Sequence, residues 1–304
     1  MTRRGWALFS VMCVVWGIPY LFIKVAVGGV AVPIVVFART AGGAAVLLPL
    51  AALTGRTQAL RLVRRHWRPL AVFASFEIIV PWLLLSDAER RLSSSLTGLL
   101  IAAVPITGVL VARLTGGTER LSRIRWCGLV VGLAGVAVLA VPHLEGGDAW
   151  AVVEVFLVAL CYASAPLVAA RKLTDVPTLP MIASCLTLAA LVYAPAAIVT
   201  WPHKAPSIQV IGALVGLATC CTALAFLVFL ELIREVGTSR AMVFTYVNPA
   251  VAVTAGVLVL GEPLTGTILA AFALILSGSF LATARQPQPE PLPIAAQPER
   301  QPMR

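Results

Sequence analysis

Short polar breaks cut this chain into a succession of apolar stretches, each close to the roughly 20 residues that a helix needs to cross about 30 Å of hydrocarbon. Ten can be read, at 6–26, 33–53, 68–86, 94–113, 124–142, 149–170, 178–200, 207–231, 239–260 and 265–284. They take up nearly all of the 304 residues, so no soluble domain of useful size remains and function must lie between the helices. Hydrocarbon offers no water to bond backbone N–H and C=O groups, and a helix satisfies them internally. The expected fold class is an all-α polytopic membrane protein. A composition of 60% hydrophobic and 12% charged residues, with mean hydropathy +0.95, is far from that of a wetted globular domain.

The placement of the charges sets orientation. The net charge of +10 might suggest a nucleic-acid partner, but the basic residues track the loops. With the N-terminus inside, 18 of the 23 fall in inner loops and tails, three (Arg90, Arg91, Lys204) fall outside, and Lys24 and Arg39 lie within apolar stretches. Ten crossings with both termini cytoplasmic, in the cell membrane, is the expectation; nucleic acid is not an expected partner. Thr2-Arg3-Arg4 resembles the basic start of a signal peptide, yet the apolar run exceeds the usual ~7–15 residues and no clean cleavage site follows, so the first stretch is expected to stay attached. All six cysteines lie in apolar stretches without metal-ligand spacing, which implies neither disulfide nor metal site, and no cofactor is expected.

Two segments repeat. Ser95-Leu-Thr-Gly-Leu-Leu-Ile-Ala-Ala-Val-Pro105 stands beside Ser239-Arg-Ala-Met-Val-Phe-Thr-Tyr-Val-Asn-Pro249. Glu119 and Glu262 follow the two prolines by 14 and 13 residues, and Gly135 and Gly278 follow the glutamates by 16. The halves are therefore 1–143 and 144–284, with five stretches each. Five is odd, so the second half must be inverted relative to the first, with a cavity where the two meet. The proline- and glutamine-rich tail, 285–304, reads as a disordered cytoplasmic extension.

Trp16-Gly-x-x-Tyr20-x-x-x-Lys24, the Pro33…Arg39 pair, the Pro105…Glu119-Arg-Leu block, its echo Pro249…Glu262-Pro-Leu and the late glycines together resemble the EamA branch of the drug/metabolite transporter superfamily. The resemblance covers 6–284. It implies a ten-helix bundle of two inverted five-helix repeats with a central pathway, moving small molecules by alternating access, often outward; substrates in that family range over amino acids, other metabolites and drug-like compounds. The second half departs from the pattern, because Ala163-Ser-Ala-Pro166…Arg171-Lys172 only weakly echoes Trp16…Lys24…Arg39.

Charges inside spans cost on the order of 2.5–3.5 kcal/mol each and normally face a bundle interior or a wet cavity. The candidates are Lys24, Arg39, Glu77, Glu154 and Glu231. Lys24, near the end of its stretch, either snorkels to water or binds an anionic group. Arg39 and Glu77 lie roughly 9 Å and 14 Å from opposite ends of their helices, levels that predict a pair or a shared cavity. Glu77, nearest the midplane, is the first choice for carrying a coupling proton, the alternative being a permanent partner for Arg39 or a helix-to-helix hydrogen bond; Arg39 either ties its helix to a neighbouring carbonyl or carboxylate or contacts substrate. Glu154 and Glu231 read as interfacial. Pro105 and Pro249 should break their helices and free carbonyls, with Tyr246 and Asn248 adding hydrogen-bonding groups at the same depth. Trp16, Tyr20, Trp82 and Tyr162 are expected to line the pathway, and the other five tryptophans to anchor at the interface.

An enzyme would need clustered histidines or paired acids, but His66, His143 and His203 fall in loops by hydropathy, and no Gly-x-x-x-x-Gly-Lys-Ser/Thr loop marks an ATP-driven pump. The expected function is a secondary transporter whose partners are a small-molecule substrate, the bilayer and protons as coupling ion. A passive channel or a non-transport membrane protein is the alternative.

Overall fold

A computed structural model describes residues 1–54, 57–114, 122–145 and 148–283. Among the described residues eight helices are long and apolar enough to cross a membrane: α1 (Arg3–Val27), α2 (Val32–Leu53), α3 (Trp67–Ala88), α4 (Ser94–Val111), α5 (Arg123–Pro142), α6 (Ala149–Lys172), α7 (Thr178–Val199) and α8 (Ile208–Val236). Two shorter apolar helices follow, α9 (Asn248–Leu260) and α10 (Gly266–Ala282). The ninth expected stretch, 239–260, is regular only in its second part. A single turn (Thr238–Ala241) and a 3-10 segment (Met242–Tyr246) precede Asn248, because Pro249 has no N–H to give and fits only at the start of a helix. The repeat landmark Glu119 and the tail 285–304 lie outside the described residues.

Several helices are interrupted where the sequence forces it. In α1, Pro19 opens a second piece (Pro19–Val27) after a break at 16–18. In α4, Ser94–Ile101 gives way to Val104–Leu114, with Pro105 in the first turn of the new piece. The carbonyl of Ala102, freed at that break, accepts a bond from Ser279 Oγ of α10 at 3.0 Å. Two helices widen into π-helical turns instead: Ser75–Ile79 in α3 and Thr219–Leu224 in α8. In the latter, Thr222 Oγ1 donates to the carbonyl of Leu217 five residues back, at 2.8 Å. Such turns are rare and cluster at functional sites.

The helices associate in pairs: α5 with α10, α2 with α7, α4 with α9, α1 with α8, and α3 with α6. Apolar surface gains nothing from contact in lipid, so close approach must come from small residues. The α5–α10 pair is the clearest case. Gly128, Gly132 and Gly135 line one edge of α5, and a Cβ on Gly278 of α10 would strike the backbone of Gly132 and the carbonyl of Gly128. At the N-terminal end of the bundle Arg4 pairs with Glu231 at 2.9 Å, and Thr2 both caps the first turn through Gly5 N and donates to Glu235. Glu231 is part-exposed there and also meets Arg234 at 2.6 Å. Trp6, Trp67, Trp126, Trp150 and Trp201 are all more than half exposed, whereas Trp82 is buried.

One helix is absent from the hydropathy reading. Thr57–Arg65 connects α2 to α3, with Leu62 and Val63 against the core and Arg61, Arg64 and Arg65 exposed. It is too polar to be a span, and its helical period carries the information that mean hydropathy discards.

Candidate functional site

Side chains from α2, α3, α6 and α8 converge on Arg39. Arg39 is 7% exposed; its guanidinium donates through Nε to Thr222 Oγ1 at 3.1 Å, and its Cζ stands 3.6 Å from the centroid of the Trp82 ring. The π-helical turn of α8 supplies Thr222, whose hydroxyl is held for the purpose by its own bond to Leu217. Tyr162 of α6 and Tyr20 of α1 lie within electrostatic range of the charge. No carboxylate of the described residues comes within ion-pair distance of it, and its terminal nitrogens have no protein hydrogen bond there.

The expected pairing of Arg39 with Glu77 is therefore not formed. Five residues separate Glu77 from Trp82, about 140° round a helix at roughly 100° per residue. Trp82 points to Arg39, while Glu77 turns toward Tyr162, Cys161 and Cys185 on α6 and α7. Glu77 sits in the π-helical turn of α3 and has no hydrogen-bond or ion-pair partner among the described residues. Tyr193 of α7 braces the same turn, donating to the carbonyl of Ile79 at 2.7 Å. Tyr162, in range of both Arg39 and Glu77, is the link between them.

The other expected residues take separate places. Lys24 is held by the backbone. Its Nζ donates to the carbonyls of Glu89 and Leu92, both at 2.7 Å, capping the end of α3 where carbonyls lack helical partners and the helix dipole is negative. Trp16 stacks in an aromatic group with Phe226, Phe229 and Phe244, centroids 5.1–5.7 Å away. Tyr246 bonds Thr283 and lies edge-on to Phe280, fastening the α9 side to the end of α10 rather than joining the Arg39 group. Asn248, with its amide nitrogen turned to donate, reaches the carbonyls of Phe244 at 3.1 Å and Cys13 at 3.2 Å, tying α9 to α1.

Three features escape sequence reasoning. Thr222 is one. The second is the role of Glu262, a repeat landmark in the sequence, whose carboxylate caps the start of α4 from across the chain: Ser94 donates through N and Oγ at 2.7 and 2.9 Å, and Ser95 through N at 2.9 Å and Oγ at 2.5 Å. Gly256 makes the room, since a Cβ there would collide with the carboxylate and with the Ser95 hydroxyl. Burial pushes the Glu262 carboxyl up, but the bonds from Ser95 and Ser94 outweigh it and hold the group below the usual carboxylate range. A lowered folded pKa stabilises the fold above the ordinary value and ceases to as pH falls through the folded one. We expect Glu262→Ala to lower stability by about 2 kcal/mol at pH 7, with the difference from wild type closing in acid; thermal melts across pH check it. Gly256→Ala should reproduce the loss.

The third feature is Glu89, fully buried one residue beyond α3. Nearby, a cavity of about 440 Å³ is lined by Val30, Pro33, Leu83, Asp87, Arg90 and Glu154 among others. Glu154, which reads as interfacial, is buried and meets Arg91 at 3.1 Å, while Arg91 also holds Asp87 at 2.8 Å.

A family model described as the EamA-like transporter family matches residues 3–141 and again 149–284. The chain belongs to the EamA-like transporter family. Its relatives include the Escherichia coli K12 protein named an uncharacterized inner membrane transporter, YedA, 26% identical over 289 residues that cover 92% of each chain. A protein of Archaeoglobus fulgidus named an uncharacterized transporter is 25% identical over 293 residues, covering 93% of this chain and all of that one. A protein of known crystal structure superposes with a TM-score of 0.65 at 20% identity over 93% of this chain and 98% of that one, a likeness of fold. In this EamA-like transporter the Arg39 group, and not the aromatic group round Trp16, is where charge, aromatic surface and unpaired hydrogen-bond donors meet.

Proposed function

We propose that the chain is a secondary active transporter that carries a small metabolite, amino acid or drug-like molecule across the cytoplasmic membrane by alternating access, and exports it. The reading takes ten crossings with both termini cytoplasmic, as two inverted repeats over 1–143 and 144–284. Helix pairing supports it: exchanging α1–α5 for α6–α10 in order turns α1–α8 into α6–α3 and leaves α2–α7, α4–α9 and α5–α10 as they are. The two π-helical turns fall on the third helix of each set, and the prolines at 105 and 249 open the matching pieces of the fourth.

The observation that carries the site is a buried guanidinium whose terminal N–H groups have no partner among the described residues. A carboxylate or other anionic group on the substrate would complete it, in the fork geometry that arginine favours, with Trp82 and Tyr162 flanking an apolar or aromatic body. Glu77, a carboxylate in the middle of α3 without a partner among the described residues, is the carrier of the coupling proton. Purified protein in liposomes, offered radiolabelled amino acids and cationic drugs with and without a pH gradient, tests this. We expect flux to follow the gradient and Glu77→Gln to lose that dependence. Full gradient-driven flux in Glu77→Gln would remove Glu77 from the coupling step.

A further inference from the structure

The end of α3 holds a carboxyl group that nothing so far uses. Glu89 is 0% exposed, and neither of its carboxyl oxygens has a hydrogen-bond partner among the described residues. Lys24, the nearest cation, gives its protons to the carbonyls of Glu89 and Leu92 and not to the carboxyl. The neighbours are sealed as tightly: Leu85, Ala88, Leu92, Ser94, Ser95 and Leu96 are all buried. An ionised carboxylate is not left bare in such a place, because desolvation without a compensating bond is too costly. Neither carboxyl oxygen has accessible surface, so the ligand that fits is the smallest one.

We propose that Glu89 is a proton-binding site: the proton it holds in this closed arrangement is released when this end of the bundle opens. The inference rests on the transporter reading, and the proposed orientation puts this end outside. Charged and titratable groups face Glu89 from each side: Lys24 and Tyr20 on α1, Arg39 on α2 and Glu262 from the loop after α9. Burial holds the Glu89 carboxyl well above the usual carboxylate range, with Lys24 opposing and Glu262 reinforcing. The balance is simple. The O–H bond of Glu89 breaks, the proton passes to water on the open side, and the new carboxylate draws Lys24 off the two carbonyls into an ion pair. Losing that cap loosens the turn 89–93, next to Ser94 and Ser95, where Glu262 fastens α4. The closed arrangement binds the extra proton, so it is favoured as pH falls.

Two measurements on the full-length chain test the site without a known substrate. Infrared difference titration in lipid nanodiscs should give a protonated-carboxyl component at neutral pH in wild type and in Glu77→Gln that is missing from Glu89→Gln. In a background whose six cysteines are replaced by alanine, and with labelling taken throughout as the rate relative to an exposed cysteine on the same chain so that thiolate formation cancels, buried Leu96→Cys should react with a membrane-impermeant maleimide faster as pH rises, by up to about tenfold per pH unit for one linked proton. Adding Glu89→Gln should leave labelling low and independent of pH, while Glu89→Asp should keep the dependence with a moved midpoint. A carboxyl component intact in Glu89→Gln, or labelling that still follows pH there, would overturn the proposal. If Glu89→Gln does not fold, the Glu89→Asp midpoint decides, an unmoved value counting against it. Failure of the transport assays would leave the infrared result standing, so the two readings fail separately.

Discussion

Arg39→Met will lose transport, by at least about 100-fold or roughly 2.7 kcal/mol, in a protein that melts at the same temperature as wild type or higher. The two parts of that result come from the same geometry. The guanidinium is buried with one hydrogen bond to Thr222 and one ring face from Trp82 for compensation. A desolvated cation–π contact is worth about 2 kcal/mol and a hydrogen bond involving a charge about 1.5–3 kcal/mol. Against these stand the cost of carrying arginine in the middle of a membrane helix, about 2.5–3.5 kcal/mol on insertion scales, and the side-chain entropy lost in fixing it. Methionine keeps the shape and removes the cost, as replacing buried charges with apolar residues often does. A residue kept for the fold would show the opposite pattern, a lower melting temperature in step with lost flux. Arg39→Lys should recover only part of the transport, since a point charge cannot form the fork. Flux assays beside thermal melts separate the two cases.

Gly278→Val should be strongly destabilising. A Cβ at 278 meets backbone atoms of Gly132 and Gly128, not the movable tip of a side chain, so α5 and α10 must separate to admit it. Overpacking costs about 1–3 kcal/mol where side chains can yield; here the expected loss is at the top of that range or above, because the Ser279 bond to Ala102 is pulled out with the helix. Gly212→Ala is the matched control. It faces open space on α8, and the gain in helix propensity makes it neutral or stabilising by up to about 1 kcal/mol. Equal melting temperatures for the two variants would show that the α5–α10 contact is not what holds that pair.

Depth could be read from the sequence and direction could not. Counting residues from the helix ends puts Arg39 and Glu77 at nearby levels, but the π-helical turn at 75–79 and the 140° between Glu77 and Trp82 decide which of them faces the guanidinium. Widening of that kind depends on packing and leaves no mark in hydropathy. Thr222, 183 residues from Arg39, is one threonine among many until α2 and α8 are brought together. Glu89 is missed for a related reason: hydropathy ends the third stretch at 86, whereas the Lys24 cap draws the turn after it into the protein. Pro105 and Pro249, by contrast, each stand within the first two residues of a new helical piece, because proline acts on its own backbone whatever surrounds it. The glycine repeat at 135 and 278 likewise marks the face where α5 meets α10.

Counterflow is the decisive test of the proposed carrier, in which two halves alternate round the Arg39 site. Proteoliposomes preloaded with an unlabelled amino acid that the flux screen has identified are diluted into the same amino acid as tracer. The account predicts saturable tracer accumulation above the outside concentration, dependent on the preload and absent in Arg39→Met. Flux that rises without saturation and ignores the preload would mean a passive pore, and would contradict it.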